Sequence, residues 1–332
     1  MKIGVVGVGH LGKIHLKCIR QIADYQMTGI YDLSQEEAEK VAQEYNIKAY
    51  QSLDELMEAS EVLCIVTPTT THYAIAEKLI QAGKHVFIEK PVTSTTQEGK
   101  KLQELAEKAG VKVQVGHVER FNPVFRALED KISNPAFLEV HRLAQYNPRS
   151  TDVSVIHDLM IHDIDILLHF VKSPVKDVRA NGLSIISRKD DICSARVEFE
   201  NGAVANLTAS RISLKNMRKM RLFQSNAYIS IDFLEKNAQI IGIEDEKKGD
   251  DAMRLESEDQ DKFITIENVE GPQGNAIKEE LEAFYKSIQD DSPVMVSLED
   301  GIRALALVEK IEEAIGEQTD VEEFIHLKSD NY

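Results

Sequence analysis

Two hydrophobic patterns alternate along the N-terminal part of the chain. Short, mainly apolar runs, typical of strands buried on both faces, occur at residues 2–8, 27–31, 62–66 and 85–88, and residues 111–115, VKVQV, predict one more strand. Between them, apolar residues with helical spacing occupy residues 35–45, 53–59, 73–82 and 95–109. Strands that alternate with helices predict an α/β fold with a parallel, doubly wound sheet of the Rossmann type, and this first domain is expected to span residues 1–120.

Further along the chain the apolar residues mainly follow the two-residue period of strands. The predicted strands are residues 137–143, 175–181, 192–199, 203–210, 220–223, 228–233 and 238–241. Asn201-Gly202 predicts a tight hairpin between two of them. Residues 243–260 are rich in charge and predict a solvated excursion, while residues 275–289 and 298–315 predict amphipathic helices. The second domain, residues 121–332, is therefore predicted to be α+β, with a mainly antiparallel, open-faced sheet and helices on one face.

One predicted helix, residues 152–171, is apolar on most of its surface, which is the pattern of a buried helix. At about 100° per residue, Asp158, His162, Asp165 and His169 fall within an arc of roughly 60°. Buried carboxylates and imidazoles must pair, bind a metal or face a cleft. The residues alone leave open an internal pair, a metal site, or acid–base catalysis in which Asp158 orients His162. No tight cluster of further ligands occurs elsewhere in the sequence, so no metal is predicted.

Charge and cysteine content narrow the class of protein. The 332 residues carry a formal net charge of −17, which argues against nucleic acid or an anionic membrane as a main partner. A phosphorylated small substrate remains compatible with this charge, because it needs only a few local cations. Cys18, Cys64 and Cys193 are far apart in the sequence and are expected to be buried free thiols in a reducing compartment. No signal peptide or membrane-spanning run is recognised, so a cytoplasmic location is predicted.

A glycine-rich turn follows the first predicted strand. Gly7-Val8-Gly9-His10-Leu11-Gly12 has the form G-x-G-x-x-G, opens a helix and precedes a strand that ends in Asp32, as in dinucleotide-binding folds. Gly7 allows the tight turn, Gly9 admits a pyrophosphate, and Gly12 lets helix and strand pack closely. Asp32 would accept hydrogen bonds from ribose hydroxyls and repel a 2′-phosphate. Because the next residues offer no arginine, NAD is predicted over NADP.

Two loops at the carboxyl ends of predicted strands carry further candidates, because ligands bind at this edge of an open α/β sheet. The loop after residues 62–66 is Thr67-Pro68-Thr69-Thr70-Thr71-His72. Its hydroxyls and His72 can contact the cofactor, or His72 simply begins the next helix. The strand at residues 85–88 runs into Glu89-Lys90-Pro91. Lys90 suits hydride chemistry, since an ammonium there would stabilise an alkoxide. The alternative interpretation is that Lys90 is an ordinary surface lysine before a loop proline.

The motifs occur in a fixed order: the glycine loop, Thr67-Pro68 with His72, Glu89-Lys90-Pro91, GHVERFNP at residues 116–123, and Asp158-x-x-x-His162-x-x-Asp165. In this combination the chain resembles the Gfo/Idh/MocA oxidoreductase family, named for glucose–fructose oxidoreductase and inositol dehydrogenase, over essentially its whole length. The resemblance implies that Lys90, Asp158 and His162 line the active site and that the Lys90–Pro91 peptide bond is cis. It also implies a homodimer or homotetramer formed through the open face of the C-terminal sheet.

Read with the resemblance, the motifs give two sets of expected binding residues. The cofactor set is Gly7, Gly9, His10, Leu11, Gly12, Asp32, Thr67, Pro68, Thr69, His72, Glu89 and Lys90. The substrate set is Lys90, His117, Arg120, Asn122, Arg149, Asp158 and His162. Cations available for a diphosphate are Arg120, Arg142, Arg149, Arg211, Lys215 and Arg218. Arg149 is favoured among them, because it lies just ahead of the candidate catalytic helix.

The candidate catalytic helix departs from the usual family pattern, G-G-x-x-x-D-x-G-x-H, since residues 152–162 read DVSVIHDLMIH. With residues 116–123, this variant is similar to the branch that acts on nucleotide-activated amino sugars such as UDP-N-acetylglucosamine. The expected function is NAD-dependent oxidation of a ring hydroxyl of such a sugar, to the 3-keto sugar. A dehydrogenase of a free polyol such as myo-inositol is the alternative. A non-catalytic NAD-sensing protein ranks third, because it would not need Lys90, Asp158 and His162 together.

Overall fold

The computed structural model describes residues 1–148, 153–247, 252–255 and 262–316. The chain divides into two compact units. Unit 1 comprises residues 1–127 and 271–306, and unit 2 comprises residues 128–270 with the described residues from 307 onward. The predicted division at residue 120 differs from this arrangement mainly in residues 271–306, which return to the first unit.

Unit 1 is built on a parallel sheet. Its strands are β1 (Lys2–Val6), β2 (Gln26–Tyr31), β3 (Val62–Ile65), β4 (His85–Glu89) and β5 (Val113–Gly116). They pair in the order β2-β1-β3-β4-β5, and every pairing is parallel. The residues of β3, VLCI, are all buried, as expected for a strand with a continuous apolar run, and those of β5, VQVG, are buried as well. The predicted doubly wound parallel sheet is confirmed.

Helices follow these strands, and side-chain caps explain where several begin. They are α1 (His10–Ile19), α2 (Gln35–Tyr45), α3 (Leu53–Ala59), α4 (His72–Gln81), α5 (Thr96–Ala109) and α6 (Pro123–Leu128). The hydroxyls of Ser34 and Ser52 accept backbone N–H groups at the starts of α2 and α3. Thr95 and Glu98 form a reciprocal capping box at the start of α5.

Residues 271–306 belong to unit 1 because α8 (Ala276–Gln289) supplies side chains to its core. Leu281 and Phe284 are fully buried among the core residues, and the Phe284 ring lies 6.3 Å from the Phe87 ring of β4. The hydroxyl of Tyr25 donates to the carbonyl oxygen of Leu281 at 3.1 Å, across a sequence separation of 256 residues. Contacts between residues so far apart leave no local pattern in the sequence. The sequence therefore does not predict that α8 packs in unit 1.

Unit 2 is built on a mixed sheet that is mainly antiparallel. Its strands are β6 (Phe137–Leu143), β7 (Val175–Leu183), β8 (Ile192–Phe199), β9 (Val204–Ser210), β10 (Met217–Gln224), β11 (Ala227–Asp232), β12 (Asn237–Glu244), β13 (Met253–Leu255) and β14 (Lys262–Glu270). Their order is β13-β14-β12-β11-β10-β6-β9-β8-β7. β6 and β9 pair in parallel, whereas the other pairings are antiparallel. The predicted α+β class and the Asn201-Gly202 hairpin between β8 and β9 are confirmed.

Two strands go beyond the prediction. β14 pairs with β12 along nearly its full length, and β13 adds a short edge. The sequence KFITIENVE of β14 has an alternating start, but it follows the charged segment that predicts a solvated excursion. Within that segment, residues 248–251 and 256–260 lie outside the described residues.

One face of the unit 2 sheet is covered and the other carries exposed apolar side chains. On the covered side, Arg142 of β6 donates hydrogen bonds at 2.9 and 2.8 Å to the carboxylate of Asp163. Asp163 lies in α7 (Ile161–Phe170), and both side chains are buried. A bidentate pair of this kind satisfies both charges away from water. The opposite face exposes Phe223, Ile243 and Ile266 by 43%, 41% and 50%.

Two expectations drawn from composition can be checked against the structure. Cys18, Cys64 and Cys193 are free and buried, as predicted. Burial raises the pKa of the Cys193 thiol to about 12, so this thiol stays protonated and unreactive. Among the described helices, none combines the length and the apolar character that crossing a bilayer requires.

Candidate active site

A cavity of about 1210 Å³ opens at the carboxyl ends of β1, β2 and β3 in unit 1. Seven residues of the expected cofactor set line it: Gly7, Gly9, His10, Leu11, Asp32, Thr67 and Pro68. They come from the ends of three strands that are neighbours in the sheet. This is the edge at which open α/β sheets bind their ligands.

The glycines of the loop meet three different spatial requirements. Gly7 has a φ of +93°, and a Cβ there would lie 2.4 Å from the carbonyl oxygen of Val66. A Cβ at Gly12 would lie 2.2 Å from the carbonyl oxygen of Gly7. A Cβ at Gly9 would meet nothing within 4 Å, because the space in front of it is open. The loop thus keeps a clear cradle at the N-terminus of α1, the kind of place that takes a pyrophosphate.

Two backbone N–H groups fix the Asp32 carboxylate just beyond β2. Its Oδ2 accepts the N–H of Val8 at 2.8 Å, and its Oδ1 accepts the N–H of Ser34 at 2.9 Å. Each oxygen has further acceptor capacity for a ribose hydroxyl. No arginine lines the described wall of the cavity, and the neighbouring Leu33 is exposed. The cavity therefore fits a dinucleotide with a free 2′-hydroxyl.

Part of the cavity wall lies outside the predicted set. It comes from the beginning of α3 and from α4 with the turn before it: Ser52, Leu53, Asp54, Thr70, Thr71, Ala74, Ile75 and Lys78. The Lys78 ammonium lies 2.6 Å from Oδ1 of Asp54, so an acidic partner accompanies this cation. A positional signal was available, because helices in a parallel sheet begin at the edge where the strands end.

Five residues of the expected cofactor set do not line this cavity: Gly12, Thr69, His72, Glu89 and Lys90. His72 is the first residue of α4 and is buried. Its Nδ1 and Nε2 each lie 2.9 Å from a carbonyl oxygen, that of Pro91 and that of Thr67. Burial lowers the pKa of this imidazole, although the two carbonyls oppose the shift. The ring therefore links two loops instead of facing the cavity.

Lys90 follows β4 directly and is half-buried. The peptide bond to Pro91 is cis, as the resemblance implies. Before it, the Oε1 of Glu89 lies 2.7 Å from Nε2 of His15. Burial alone would raise the pKa of Glu89, but the hydrogen bond and charge of His15 and the charge of Lys90 bring it below its usual range. The Glu89 carboxylate is thus charged and directed into the interior of unit 1.

In unit 2 the candidate catalytic helix changes pitch at the residues of interest. Ile156–Met160 form a π-helical turn, and α7 begins at Ile161. Asp158 lies in the π-turn and His162 lies in α7, so the arc predicted with one constant rotation spans a change of pitch. Asp158 and His162 are both half-buried. Such turns are frequent at functional sites.

Other polar residues of this helix have structural partners. Asp163 is held by Arg142, as described above. The Nε2 of His169 lies 3.3 Å from Oε1 of Glu129. Asp165, which belongs to the predicted arc together with Asp158, His162 and His169, is buried. His169 and Asp163 therefore contribute to the fold of unit 2.

Three residues of the expected substrate set follow β5 in unit 1. His117, Arg120 and Asn122 are all buried. Arg120 lies 3.6 Å from Oδ1 of Asp300, and Asn122 forms hydrogen bonds within its own turn. Burial alone would raise the pKa of Asp300, but hydrogen bonds from Ser297 and the charge of Arg120 bring this pKa below its usual range. Arg149, the favoured diphosphate ligand, lies outside the described residues.

The remaining candidate cations divide into buried and exposed groups. Arg142 and Arg211 are buried, each facing a buried carboxylate of unit 2. Lys215 and Arg218 are exposed. Arg142 and Arg211 are therefore corrected from candidate diphosphate ligands to residues that hold the fold.

The chain matches two family profiles that cover most of its length. Residues 1–117 match the NAD-binding Rossmann domain of the Gfo/Idh/MocA oxidoreductases, and residues 141–322 match the C-terminal α/β domain of the same family. The chain belongs to the Gfo/Idh/MocA oxidoreductase family. The resemblance drawn from the motifs is thereby confirmed, together with its consequences for fold class.

Individual Gfo/Idh/MocA proteins extend this comparison. The UDP-N-acetylglucosamine 3-dehydrogenase of Acidithiobacillus ferrooxidans is 41% identical over 241 residues, which are 72% of this chain and 76% of that protein. Its solved structure has a TM-score of 0.86 at 36% identity, with 95% of this chain and 97% of that chain covered. The myo-inositol 2-dehydrogenase of Thermotoga maritima is 26% identical over 326 residues, 92% of this chain and 94% of that protein.

As a Gfo/Idh/MocA member, the chain is an oxidoreductase with NAD as its cofactor. The cavity, the glycine cradle and Asp32 all lie within the residues that match the NAD-binding domain. When bound, NAD accepts a hydride at C4 of its nicotinamide ring. The residues that would hold it are those of the glycine loop, Asp32 and the Thr67-Pro68 turn.

Two alanine substitutions in the glycine loop should separate cofactor binding from folding. Gly9→Ala should weaken NAD binding by about tenfold or more, because the added methyl enters the cradle, while the melting temperature of the apo-protein stays near the parent. Gly12→Ala should lower that melting temperature, since overpacking against backbone typically costs about 1–3 kcal/mol. Calorimetric titration with NAD and thermal denaturation measure the two effects. Parental NAD affinity in Gly9→Ala would contradict the assignment of the cradle.

Proposed function

We propose that this chain oxidises the 3-hydroxyl of a UDP-N-acetylhexosamine, such as UDP-N-acetylglucosamine, with NAD. The observation that carries the proposal is the similarity to the Acidithiobacillus ferrooxidans enzyme, at 41% identity and with a TM-score of 0.86. The similarity to the myo-inositol 2-dehydrogenase is weaker, at 26% identity. That relative nevertheless covers 92% of this chain, and oxidation of a free polyol is therefore the second candidate function.

The proposed catalytic set is Lys90, Asp158 and His162. His162 takes the proton from the sugar hydroxyl while the hydride leaves the same carbon for the cofactor. Lys90 stabilises the negative charge that develops on the oxygen, and Asp158 orients His162 and stabilises its protonated form. The products are a 3-keto sugar nucleotide, NADH and a proton. The half-buried positions of Asp158 and His162 support this role, because such groups can meet substrate while water is restricted.

We further propose that His117, Arg120, Asn122 and Arg149 contribute to substrate binding. Arg120 is buried at the end of a strand-to-helix segment in unit 1 and is balanced by Asp300. Engagement of Arg142 and Arg211 in the fold reduces the set of cations available for a diphosphate. Among the remaining cations Arg149 stays favoured, because it lies just ahead of the candidate catalytic helix in the sequence.

The open face of the unit 2 sheet is proposed to form a homodimer or homotetramer. Phe223, Ile243 and Ile266 lie on one face of neighbouring strands, and each exposes two-fifths of its surface or more. An exposed apolar sheet face is a common site of association. We also place the protein in the cytoplasm, because its three cysteines are free and buried, as in reducing compartments.

The substrate proposal predicts a clear order of turnover. UDP-N-acetylglucosamine should be oxidised with NAD much faster than free N-acetylglucosamine, because binding energy from the remote UDP can be used to orient the reacting sugar. The free sugar should lose kcat as well as affinity. NADH absorbance is followed for a panel of UDP-sugars and free polyols, with the keto product trapped chemically. If myo-inositol or glucose turns over faster than every UDP-sugar, the polyol function replaces this one.

The catalytic set predicts losses in kcat with little change in NAD affinity. Lys90→Ala and His162→Ala should each lower kcat by about 10²–10⁴-fold. Their combined effect should fall short of the product of the two, since both act on one proton transfer. Lys84→Ala, just ahead of β4, and His169→Ala, later in α7, are the matched controls and should retain kcat. A double variant whose losses multiply would mean that the two residues act independently.

The assembly proposal predicts that one charge on the open face disrupts association. Ile266→Asp should shift the protein to a smaller species, because a carboxylate in an apolar interface loses its hydration. Leu234→Asp makes the same change at an apolar residue that is 42% exposed in the turn after β11 and should leave the species unchanged. Sedimentation velocity measures both. An unaltered assembly in Ile266→Asp would argue for another interface.

A further inference from the structure

A buried, hydrogen-bonded histidine–glutamate pair lies beside the proposed catalytic lysine. Nε2 of His15 and Oε1 of Glu89 are 2.7 Å apart, and the two side chains are 0% and 9% exposed. His15 belongs to α1, whose first residues line the cofactor cavity. Glu89 is the last residue of β4 and directly precedes Lys90. The pair therefore connects the helix that follows the glycine loop with the strand that carries the lysine.

The surroundings of the pair are shaped to hold the carboxylate in one position. Glu89 is opposite Gly116 in the register of β4 and β5. A Cβ at Gly116 would lie 3.0 Å from Oε2 of Glu89, so the glycine leaves the space that the carboxylate occupies. The backbone N–H of Lys90 donates to the same Oε2 at 3.2 Å. The Phe87 ring lies 5.4 Å from the His15 ring.

A third titratable group, Glu280 of α8, faces the pair. One oxygen or nitrogen from each of His15, Glu89 and Glu280 lies within 4.8 Å of the others. Within the described part of the chain, neither carboxyl oxygen of Glu280 has a hydrogen-bond partner, and the residue is fully buried. Burial, together with the charge of Glu89, raises the pKa of Glu280 well above its usual range. Of the two carboxyls in the cluster, Glu89 is therefore the one that more readily carries the negative charge.

The residue after Lys90 is also held by a buried imidazole. His72 bridges the carbonyl oxygens of Pro91 and Thr67, each at 2.9 Å. The main chain is therefore fixed immediately before Lys90 through His15 and immediately after it through His72. Rigid support of this kind is what a group needs if its ammonium must meet a charge that develops only in the transition state.

We propose that His15 and Glu89 are positioning residues for the oxidoreductase reaction. The pair fixes the chain at Lys90 relative to the cofactor-binding helix, and the carboxylate supplies the negative charge that accompanies the ammonium of Lys90. Neither residue needs to touch substrate or cofactor, so Glu89 acts through Lys90 instead of as a cofactor ligand. This inference rests on the role proposed above for Lys90.

A double-mutant cycle between Glu89 and Lys90 tests the inference. Glu89→Gln keeps the shape of the side chain but removes its charge, and it should lower kcat by about 10–100-fold. The calorimetric Kd for NAD should change by less than about threefold, because the glycine cradle and Asp32 are untouched. In a Lys90→Ala background, the same Glu89→Gln change should cost less than about threefold in kcat, measured in single turnovers. His15→Gln should repeat this pattern and serves as a second variant if Glu89→Gln folds poorly.

Glu280→Gln is the matched control. It makes the same carboxyl-to-amide change in a fully buried group of the same cluster, but at a carboxyl that forms no hydrogen bond to His15 or to the chain at Lys90. It should therefore retain kcat within about threefold of the parent. Thermal denaturation of each apo-protein reports any loss of stability separately from the loss of kcat.

The outcomes are distinguishable. If Glu89→Gln lowers kcat by the same factor in the parental and the Lys90→Ala backgrounds, the inference is overturned while the proposed role of Lys90 stands. The same holds if Glu89→Gln lowers only the affinity for NAD. Parental kcat in Lys90→Ala would overturn the proposed role of the lysine and the inference with it. Three nitrogen and oxygen ligands can also hold a divalent cation. One equivalent of metal in the purified protein, lost in Glu280→Gln, would replace the positioning pair with a metal centre.

Discussion

All strands of a parallel sheet end at one edge, and the chemistry of unit 1 depends on this constraint. The turns at that edge contain backbone groups that no neighbouring strand can satisfy. Polar side chains satisfy some of them: Asp32 accepts the N–H groups of Val8 and Ser34, and the His72 ring lies between the carbonyls of Thr67 and Pro91. Asp32 both holds its turn together and lines the cofactor cavity, so folding and binding are not separable at this residue.

Local patterns in the sequence predict the elements of this fold well, and they fail where packing joins distant segments. The continuous apolar runs of β3 and β4 and the capped starts of α2 and α5 can be located without a structure. The return of α8 to unit 1 cannot, because Leu281 and Phe284 become core residues only through neighbours far away in the chain. β14 is concealed for a different reason, namely that a charged segment precedes its alternating residues.

The candidate site shows the same division. The spacing of the glycines and the position of Asp32 locate the cofactor cavity, because the residues that form this part of the site are close together in the sequence. Glu89 and His72 are polar residues beside the site, and the sequence cannot tell that the carboxylate is directed toward His15 and the ring toward two carbonyls. At Asp158 the sequence does not reveal a change of pitch, since a helical wheel assumes one constant rotation and the π-turn at Ile156–Met160 does not have it.

Each of the two units places a buried carboxylate directly beside a proposed catalytic residue. In unit 1, Glu89 precedes Lys90 and is paired with His15 of α1. In unit 2, Asp163 follows His162 and is paired with Arg142 of β6. Buried ion pairs add little net stability, because desolvation offsets most of the attraction, and apolar residues of similar volume often serve the fold as well. Their directional bonds, in contrast, fix a helix against a strand at one register. Each of the two pairs lies one residue from a proposed catalytic residue, Lys90 or His162. The pairs are better explained by the positions they impose on the chain than by the stability they add.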